Sequence, residues 1–284
     1  MADIDTSKDE ELLKEHYRRC YAKVSGSDFY KLYADEKIRH SFQVVGAGNY
    51  IMHHEQVFSD REGRFLQSAK LAYLFHDIGR FQEIERLYAE EPHPRRHDHS
   101  LYSYEILKSI PEYACPEILL PVKHHGHMIE DLYSDAEFTA ITDEKLKNDI
   151  LKIAFLVRDA DKIANFYLMK TAQKASDNVF EHLFLSKTAP GGLAPVMAED
   201  FLAGRMPKRS DIKTSEDWIL SYISWIYDLN YKASFDFCRL TGCFDNLLST
   251  LDKYNRDKGL QQRISETISN YIKHRYQQFK EEQS

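Results

Sequence analysis

A histidine and an aspartate, His76 and Asp77, are adjacent at the end of an apolar run. The run from Leu71 to Arg80 reads Leu-Ala-Tyr-Leu-Phe-His-Asp-Ile-Gly-Arg. The upstream residues that share a helical face with His76 are apolar, which predicts that its imidazole points into the core. Because burying an unpaired charge is very costly, the two side chains need hydrogen-bond partners or a bound cation. A metal ion would satisfy both.

Gly79 and Arg80 complete the run. Gly79 is expected to let the backbone leave the helix, and Arg80 sets a permanent cation beside the two candidate ligands. We expect Arg80 to hold a substrate phosphate, and the alternative is a salt bridge to Glu83 or Glu85. The doublet alone is weak evidence, because a second His-Asp pair occurs at residues 97 and 98.

Other imidazoles and carboxylates also occur in apolar, helical settings. They are His40, His99, His124, His125 and Asp161. Apolar residues recur at helical spacing after His40, in a helix predicted from Ile38 to about Phe58, so this imidazole is also expected to face the core. His53 and His54 lie near charged residues at the end of that helix, and we interpret them as structural.

His99 shares a polar loop with two other histidines, and only one of the three is expected to be a ligand. His93 and His97 stand among proline and arginine residues, whereas His99 directly precedes a predicted helix. A helix anchors a side chain better than a loop does. His99 is therefore the preferred candidate.

Two aspartates are candidate metal ligands in the long helix predicted from about residue 146 to 174. Both Asp159 and Asp161 have apolar neighbours at helical spacing, so periodicity leaves both open. For either carboxylate the alternative to metal binding is a buried salt bridge, for instance with Arg158 or Lys162.

The order of these residues resembles the HD-domain superfamily of metal-dependent phosphohydrolases, over about residues 36 to 165. The resemblance implies a metal site with four ligands, which are His40, His76, Asp77 and Asp161. The Ala-Asp-Lys pattern of this superfamily favours Asp161 over Asp159. A second ion would bind His99 and His124, with His125 as a further ligand or a hydrogen-bond donor, and Asp77 would lie between the ions.

The resemblance also implies a reaction: a metal-activated water cleaves a phosphate ester of a small molecule or nucleotide. Imidazole and carboxylate ligands suit one or two divalent transition metal ions, such as Mn, Fe, Co, Ni or Zn. Asp77 would take part in catalysis, while Arg80 and Lys123 would hold the phosphate. The alternatives are a di-iron oxygenase of the HD fold, and a nucleotide-binding regulatory module with little turnover.

The composition limits the partners. The 284 residues carry a formal net charge of −7, which argues against long nucleic acid and anionic membrane as partners and leaves a small phosphorylated substrate or nucleotide. Neither a signal sequence nor an apolar run of about 18 residues is present, and we interpret the protein as cytoplasmic. The four cysteines lack a Cys-x-x-Cys pair and are expected to be free.

Glycine and proline are scarce and helical periodicity dominates, which predicts an all-α fold. We expect a single all-α domain over residues 1–284, built as an HD-domain helical bundle with a C-terminal helical extension. Residues 36–175 would form the metal-binding core. Residues 176–284 would supply a lid-like loop at 186–216 and helices that pack on the core or mediate a homodimer. An ordinary surface connection is the alternative for the loop.

Overall fold

The computed structural model describes residues 5–59, 61, 63–93, 95, 97–172 and 191–282. The regular structure in these residues is helical and includes no β-strand, which confirms the predicted all-α fold. The chain divides into two compact units, Met1–Ala164 and Asn165–Ser284. None of the helices described is both long and apolar enough to cross a lipid bilayer.

The first unit carries the candidate site. Its helices are α1 (Ser7–Lys23), α2 (Asp28–His54), α3 (Gln56–Ser59), α4 (Arg64–Phe75), α5 (Arg80–Ala89), α6 (His99–Lys108), α7 (Pro116–His124), α8 (Ile129–Tyr133), α9 (Ala136–Thr139) and α10 (Glu144–Ala172). Helix α10 continues past the boundary into the second unit.

Helix α2 begins earlier and ends earlier than the sequence predicts. The Ser27 side chain accepts a hydrogen bond from the Tyr30 amide and so caps the first turn, which starts the helix ten residues before the predicted Ile38. Glu55 then takes an extended conformation with φ −104° and ψ 124°, and the helix stops before Phe58. The early start adds the turns that carry Lys37 to the helix of His40.

Helix α4 packs against α2 and α7, and α6 packs against α5 and α7. The aromatic side chains of Phe58, Tyr73, Phe75 and Phe81 are almost fully buried. Burial of a large apolar side chain stabilises a fold by about 1.5 to 3 kcal/mol. A second apolar cluster joins α7 to α10 and consists of Leu120, Leu132, Phe138, Ile150 and Ala154. These contacts fix where the ends of α4 and α7 lie.

The described part of the second unit contains α11 (Pro195–Leu202), α12 (Ser215–Ile223), α13 (Lys232–Thr241), α14 (Cys243–Tyr254) and α15 (Lys258–Glu282), with short 3-10 helices at Arg209–Asp211 and Ser224–Asp228. Within this unit α12 packs against α11 and α14, and α15 packs against α11, α13 and α14.

The predicted lid-like loop lies in this unit, and its residues 186–190 fall outside the described ones. The described part contains α11 and is tied to the start of α12. Glu216 accepts the amides of Gly191 and Gly192, and Asp217 accepts the amide of Ala194 at 2.8 Å. A lid function, the packing of the C-terminal helices on the core and the homodimer stay predictions.

Candidate metal centre

Six of the predicted ligands converge from five parts of the first unit. Helix α2 carries His40, the residues after α4 are His76 and Asp77, α6 begins with His99, His125 follows α7, and α10 carries Asp161. Ligand atoms of His40, His76 and Asp77 lie within 4.8 Å of one another, and so do those of Asp77, His99 and His125. We call these the first group and the second group. Asp77 belongs to both.

Asp161 lies at the first group. Its Oδ1 is 2.9 Å from His40 Nε2 and 3.8 Å from His76 Nε2, while His76 Nε2 is also 3.8 Å from Asp77 Oδ2. His76 is fully buried and His40 nearly so, but the Asp161 side chain is 21% exposed. The first group is therefore closed on the histidine side and reaches solvent at Asp161.

The hydrogen bonds of His76 define which nitrogen faces the group. Nδ1 lies 2.8 Å from the Tyr73 carbonyl, so it carries the proton and donates, and Nε2 keeps its lone pair. In the part of the chain that the structure describes, this buried Nε2 has no hydrogen-bond partner. Burial lowers the pKa of His76 to about 4, so the ring is neutral at neutral pH. A cation placed between this lone pair and the two carboxylates would satisfy all three groups.

The second group gathers around the other oxygen of Asp77. His99 Nε2 is 3.2 Å from Asp77 Oδ1 and His125 Nε2 is 3.4 Å from the same atom. His125 Nδ1 donates to the Val122 carbonyl at 2.7 Å, which leaves the lone pair on Nε2. Burial, and then the Arg80 guanidinium, hold the pKa of His99 well below its ordinary value. Neutral imidazoles of this kind are suitable metal ligands.

Asp77 is ionised despite its surroundings. Burial alone would raise its pKa, but the positive charge of Arg80, together with that of Lys37, holds that pKa well below the ordinary value. An ionised carboxylate with its two oxygens in different groups can bridge two cations.

Arg80 reaches the second group from the start of α5. Its Nη2 donates to His99 Nε2 at 2.8 Å and lies 3.6 Å from Asp77 Oδ1. Its Nη1 donates to Glu83 Oε2 at 2.5 Å, so the ion pair expected as the alternative role is present in the fold. Burial would lower the pKa of Arg80, but Asp77 and Glu83 raise it, and the guanidinium is a permanent cation.

The structure brings His125 to the second group, whereas the sequence analysis gave His124 the larger part. His124 Nε2 lies 2.8 Å from Asp135 Oδ2, and Lys123 Nζ lies 2.7 Å from the same oxygen. Asp135 also caps α9 by accepting the Glu137 amide. His124 and Lys123 thus share a carboxylate that belongs to neither group.

Helix α10 contributes a positioning residue one turn before Asp161. Arg158 is buried, and its Nη1 donates to the carbonyls of His124 at 3.1 Å, His125 at 3.4 Å and His127. From the sequence, Arg158 was expected only as an ion-pair partner for an aspartate. Its guanidinium binds the turn that carries His125. The neighbouring Asp159, which periodicity left open, is fully buried.

The turn of His76 is tied to α6 by one hydroxyl group. Ser103 Oγ donates to the His76 carbonyl and accepts the Gly79 amide, each at 2.9 Å. Gly79 has an ordinary helical φ of −70°, which any residue can adopt. The expectation that a glycine is needed here to let the backbone leave the helix is therefore wrong. Gly79 lacks a side chain because α6 passes directly against it.

Lys37 is a residue of the site that the sequence analysis did not find. It lies on α2 three residues before His40, and its Nζ is 3.7 Å from Asp77 Oδ2. Residues three apart on a helix share a face, so this spacing was the available signal. Because the helix was predicted to begin at Ile38, Lys37 was left outside it.

Comparison with known proteins identifies the segment that forms this site. Residues 38–165 match the family model of the HD domain. This confirms the resemblance seen in the sequence: the segment is an HD domain, of a superfamily of metal-dependent hydrolases that bind divalent metals. A search of curated proteins found no significant match, and neither did a search of solved structures. The buried histidines and Asp77 have the donor set that a divalent ion requires.

Proposed function

We propose that this protein is a metal-dependent phosphohydrolase that cleaves a phosphate ester of a small molecule or nucleotide. The observation that supports this most directly is the buried Nε2 lone pair of His76, which faces Asp77 and Asp161 without a hydrogen-bond donor among the described residues. A cation would satisfy all of these acceptors at once.

The first ion would bind His40, His76, Asp77 and Asp161, and a second would bind Asp77, His99 and His125. These ligands favour Mn, Fe, Co, Ni or Zn over a purely oxygen-bound ion. A divalent ion here would activate a water molecule and stabilise the charge on the phosphoryl oxygens. The protein's own part is to keep His76 and His99 neutral and Asp77 ionised, which burial and the surrounding cations achieve.

Two cations flank Asp77 and can orient a phosphate. Arg80 lies beside Oδ1 and Lys37 beside Oδ2, at 3.6 Å and 3.7 Å. Arg80 is the better contact for phosphate because a guanidinium can donate two parallel hydrogen bonds. Lys123, the other predicted phosphate contact, has its ammonium group 2.7 Å from Asp135 and is the weaker candidate.

The substrate that we propose is small and phosphorylated. The net charge of −7 repels a long polyanion, whereas a single phosphate group needs only the local field of Arg80 and Lys37. All four cysteines are free, which supports action in a reducing compartment such as the cytoplasm.

Metal analysis combined with a phosphate-release screen tests this function. Protein stripped with EDTA is reloaded with Mn, Fe(II), Co, Ni or Zn and assayed on nucleotides, cyclic nucleotides and sugar phosphates. We expect bound metal and metal-dependent phosphate release, both lost in His76→Gln and both kept in His127→Gln, whose imidazole lies with Asp98 instead. Metal binding without phosphate release from any substrate would contradict hydrolysis. Full activity in His76→Gln would contradict the site.

A further inference from the structure

The two groups around Asp77 differ in what faces their imidazoles. In the first group, His76 Nε2 is buried and has no hydrogen-bond partner within the described part of the chain. In the second group, His99 Nε2 already accepts a hydrogen bond from Arg80 Nη2 at 2.8 Å. The atom that would ligate a second ion is thus bound to a guanidinium. The two groups share Asp77 but are not equivalent.

Arg80 takes the place that a cation would have among these acceptors. His99 Nε2 and His125 Nε2 lie 3.3 Å apart, and both carry lone pairs, because Arg80 donates to the first and Val122 accepts the Nδ1 proton of the second. Asp77 Oδ1 lies within 3.2 to 3.6 Å of both imidazoles and of Arg80. The positive charge of Arg80 balances this cluster.

Glu83 holds Arg80 in that place from the other side. Nη1 donates to Glu83 Oε2 at 2.5 Å, and Glu83 is itself buried. The two residues are three apart on α5, so the helix fixes their relative position. Arginine keeps its proton at any ordinary pH, so a change of pH does not release the contact. Displacing the guanidinium would require breaking its contacts with His99.

We infer that Arg80 is the built-in cation of the second group, so that one divalent ion binds tightly at the first group and a second ion binds only by displacing Arg80 from His99. The inference rests on the proposed metal-dependent function and specifies the number of ions. Lys37 has no such effect on the first group, because its Nζ is 3.7 Å from Asp77 and beyond hydrogen-bond distance.

Titration of the full-length protein with Mn²⁺ tests the inference without any assay of activity. EDTA-stripped protein is titrated by isothermal calorimetry, and electron paramagnetic resonance then reports whether bound Mn²⁺ ions are spin-coupled as a pair. In the wild type we expect one tight site and a second site at least about 10-fold weaker. In Arg80→Met the second dissociation constant should fall at least 10-fold and the coupled signal should appear, while the first site changes little.

Two further variants keep the test decisive. Glu83→Gln leaves Arg80 present but weakens its anchor, so an intermediate tightening of the second site is expected even if Arg80→Met folds poorly. Lys37→Met is the matched control and should not tighten the second site.

The outcomes separate this inference from the proposed function. Two equal tight sites in the wild type, or an unchanged second site in both Arg80→Met and Glu83→Gln, would overturn the role of Arg80 while leaving the metal site intact. Absence of Mn²⁺ binding in every protein would overturn the metal site itself and this inference with it.

Discussion

Gly79 and Ser103 are in such close contact that no side chain fits between them. The Gly79 amide donates to the Ser103 hydroxyl at 2.9 Å, and a Cβ placed on Gly79 would lie 2.3 Å from the Ser103 amide nitrogen and 2.4 Å from the His99 carbonyl oxygen. Those atoms are backbone atoms at the start of α6 and cannot turn aside. The contact therefore sets the distance between Asp77 and His99, which both belong to the second group.

Gly79→Ala is expected to destabilise the protein strongly. The added methyl group must push α6 away, which breaks the Ser103 hydrogen bonds, and we expect a loss of at least about 3 kcal/mol in the free energy of unfolding. Gly46→Ala is the matched control, since Gly46 is exposed on α2 with no atom within 4 Å of the added Cβ. It should gain about 0.5 to 1 kcal/mol. Urea unfolding of both variants measures the difference, and equal stabilities would contradict the contact.

His125 and His124 are expected to differ in their effect on metal affinity. His125→Gln removes an imidazole of the second group, also packed against His76 with a ring-centroid distance of 5.0 Å. We expect it to weaken binding of the second Mn²⁺ ion at least about 10-fold, whereas His124→Gln should change that affinity less than about 2-fold and act on stability through Asp135. Equilibrium dialysis with Mn²⁺ measures both. A larger loss of Mn²⁺ affinity in His124→Gln than in His125→Gln would instead identify His124 as the ligand.

Arg158 is expected to stabilise the turn that carries His125. Arg158→Met keeps most of the side-chain volume but leaves three carbonyl groups without this buried donor. We expect a loss of roughly 2 to 4 kcal/mol in the free energy of unfolding in EDTA. Arg205→Met is the control, because Arg205 is largely exposed and its pair with Asp200 should contribute only about 0 to 1 kcal/mol. A loss no larger than that of the control would show that the turn does not depend on Arg158.

Arg80 is expected to affect both catalysis and stability. If it holds the phosphate, Arg80→Ala should lower kcat/KM by one to three orders of magnitude, or roughly 1.4 to 4 kcal/mol of transition-state stabilisation. Arg80→Lys should recover only part of this, because lysine lacks the two-pronged contact. The buried Glu83 loses its partner as well, so the melting temperature should also fall.

The double variant Arg80→Ala/Glu83→Gln separates these two effects. It removes the charge that Arg80→Ala leaves unpaired, so the melting temperature should partly recover while kcat/KM stays low. Wild-type kinetics together with a lowered melting temperature in Arg80→Ala would establish a purely structural ion pair.

Much of this protein could be predicted because the signals are local. Apolar spacing of 3.6 residues predicted the helices, and α10 begins within two residues of the expected position. The same spacing put His40 and His76 on apolar faces, and both are buried. The boundary of α2 was predicted less well, since the N-cap at Ser27 decides it and a single polar residue gives a weak signal.

The sequence by itself determined the all-α class, the HD domain and the set of residues from which a metal site could be made. Only the tertiary structure decided between neighbours: His125 faces Asp77 while His124 faces Asp135, because consecutive helical residues point about 100° apart and the packing of α7 selects one of them. It also decided that Arg80 binds both Glu83 and His99. The contact with His99 joins residues on different helices and depends on how those helices pack. The spacing of residues within one helix does not predict it.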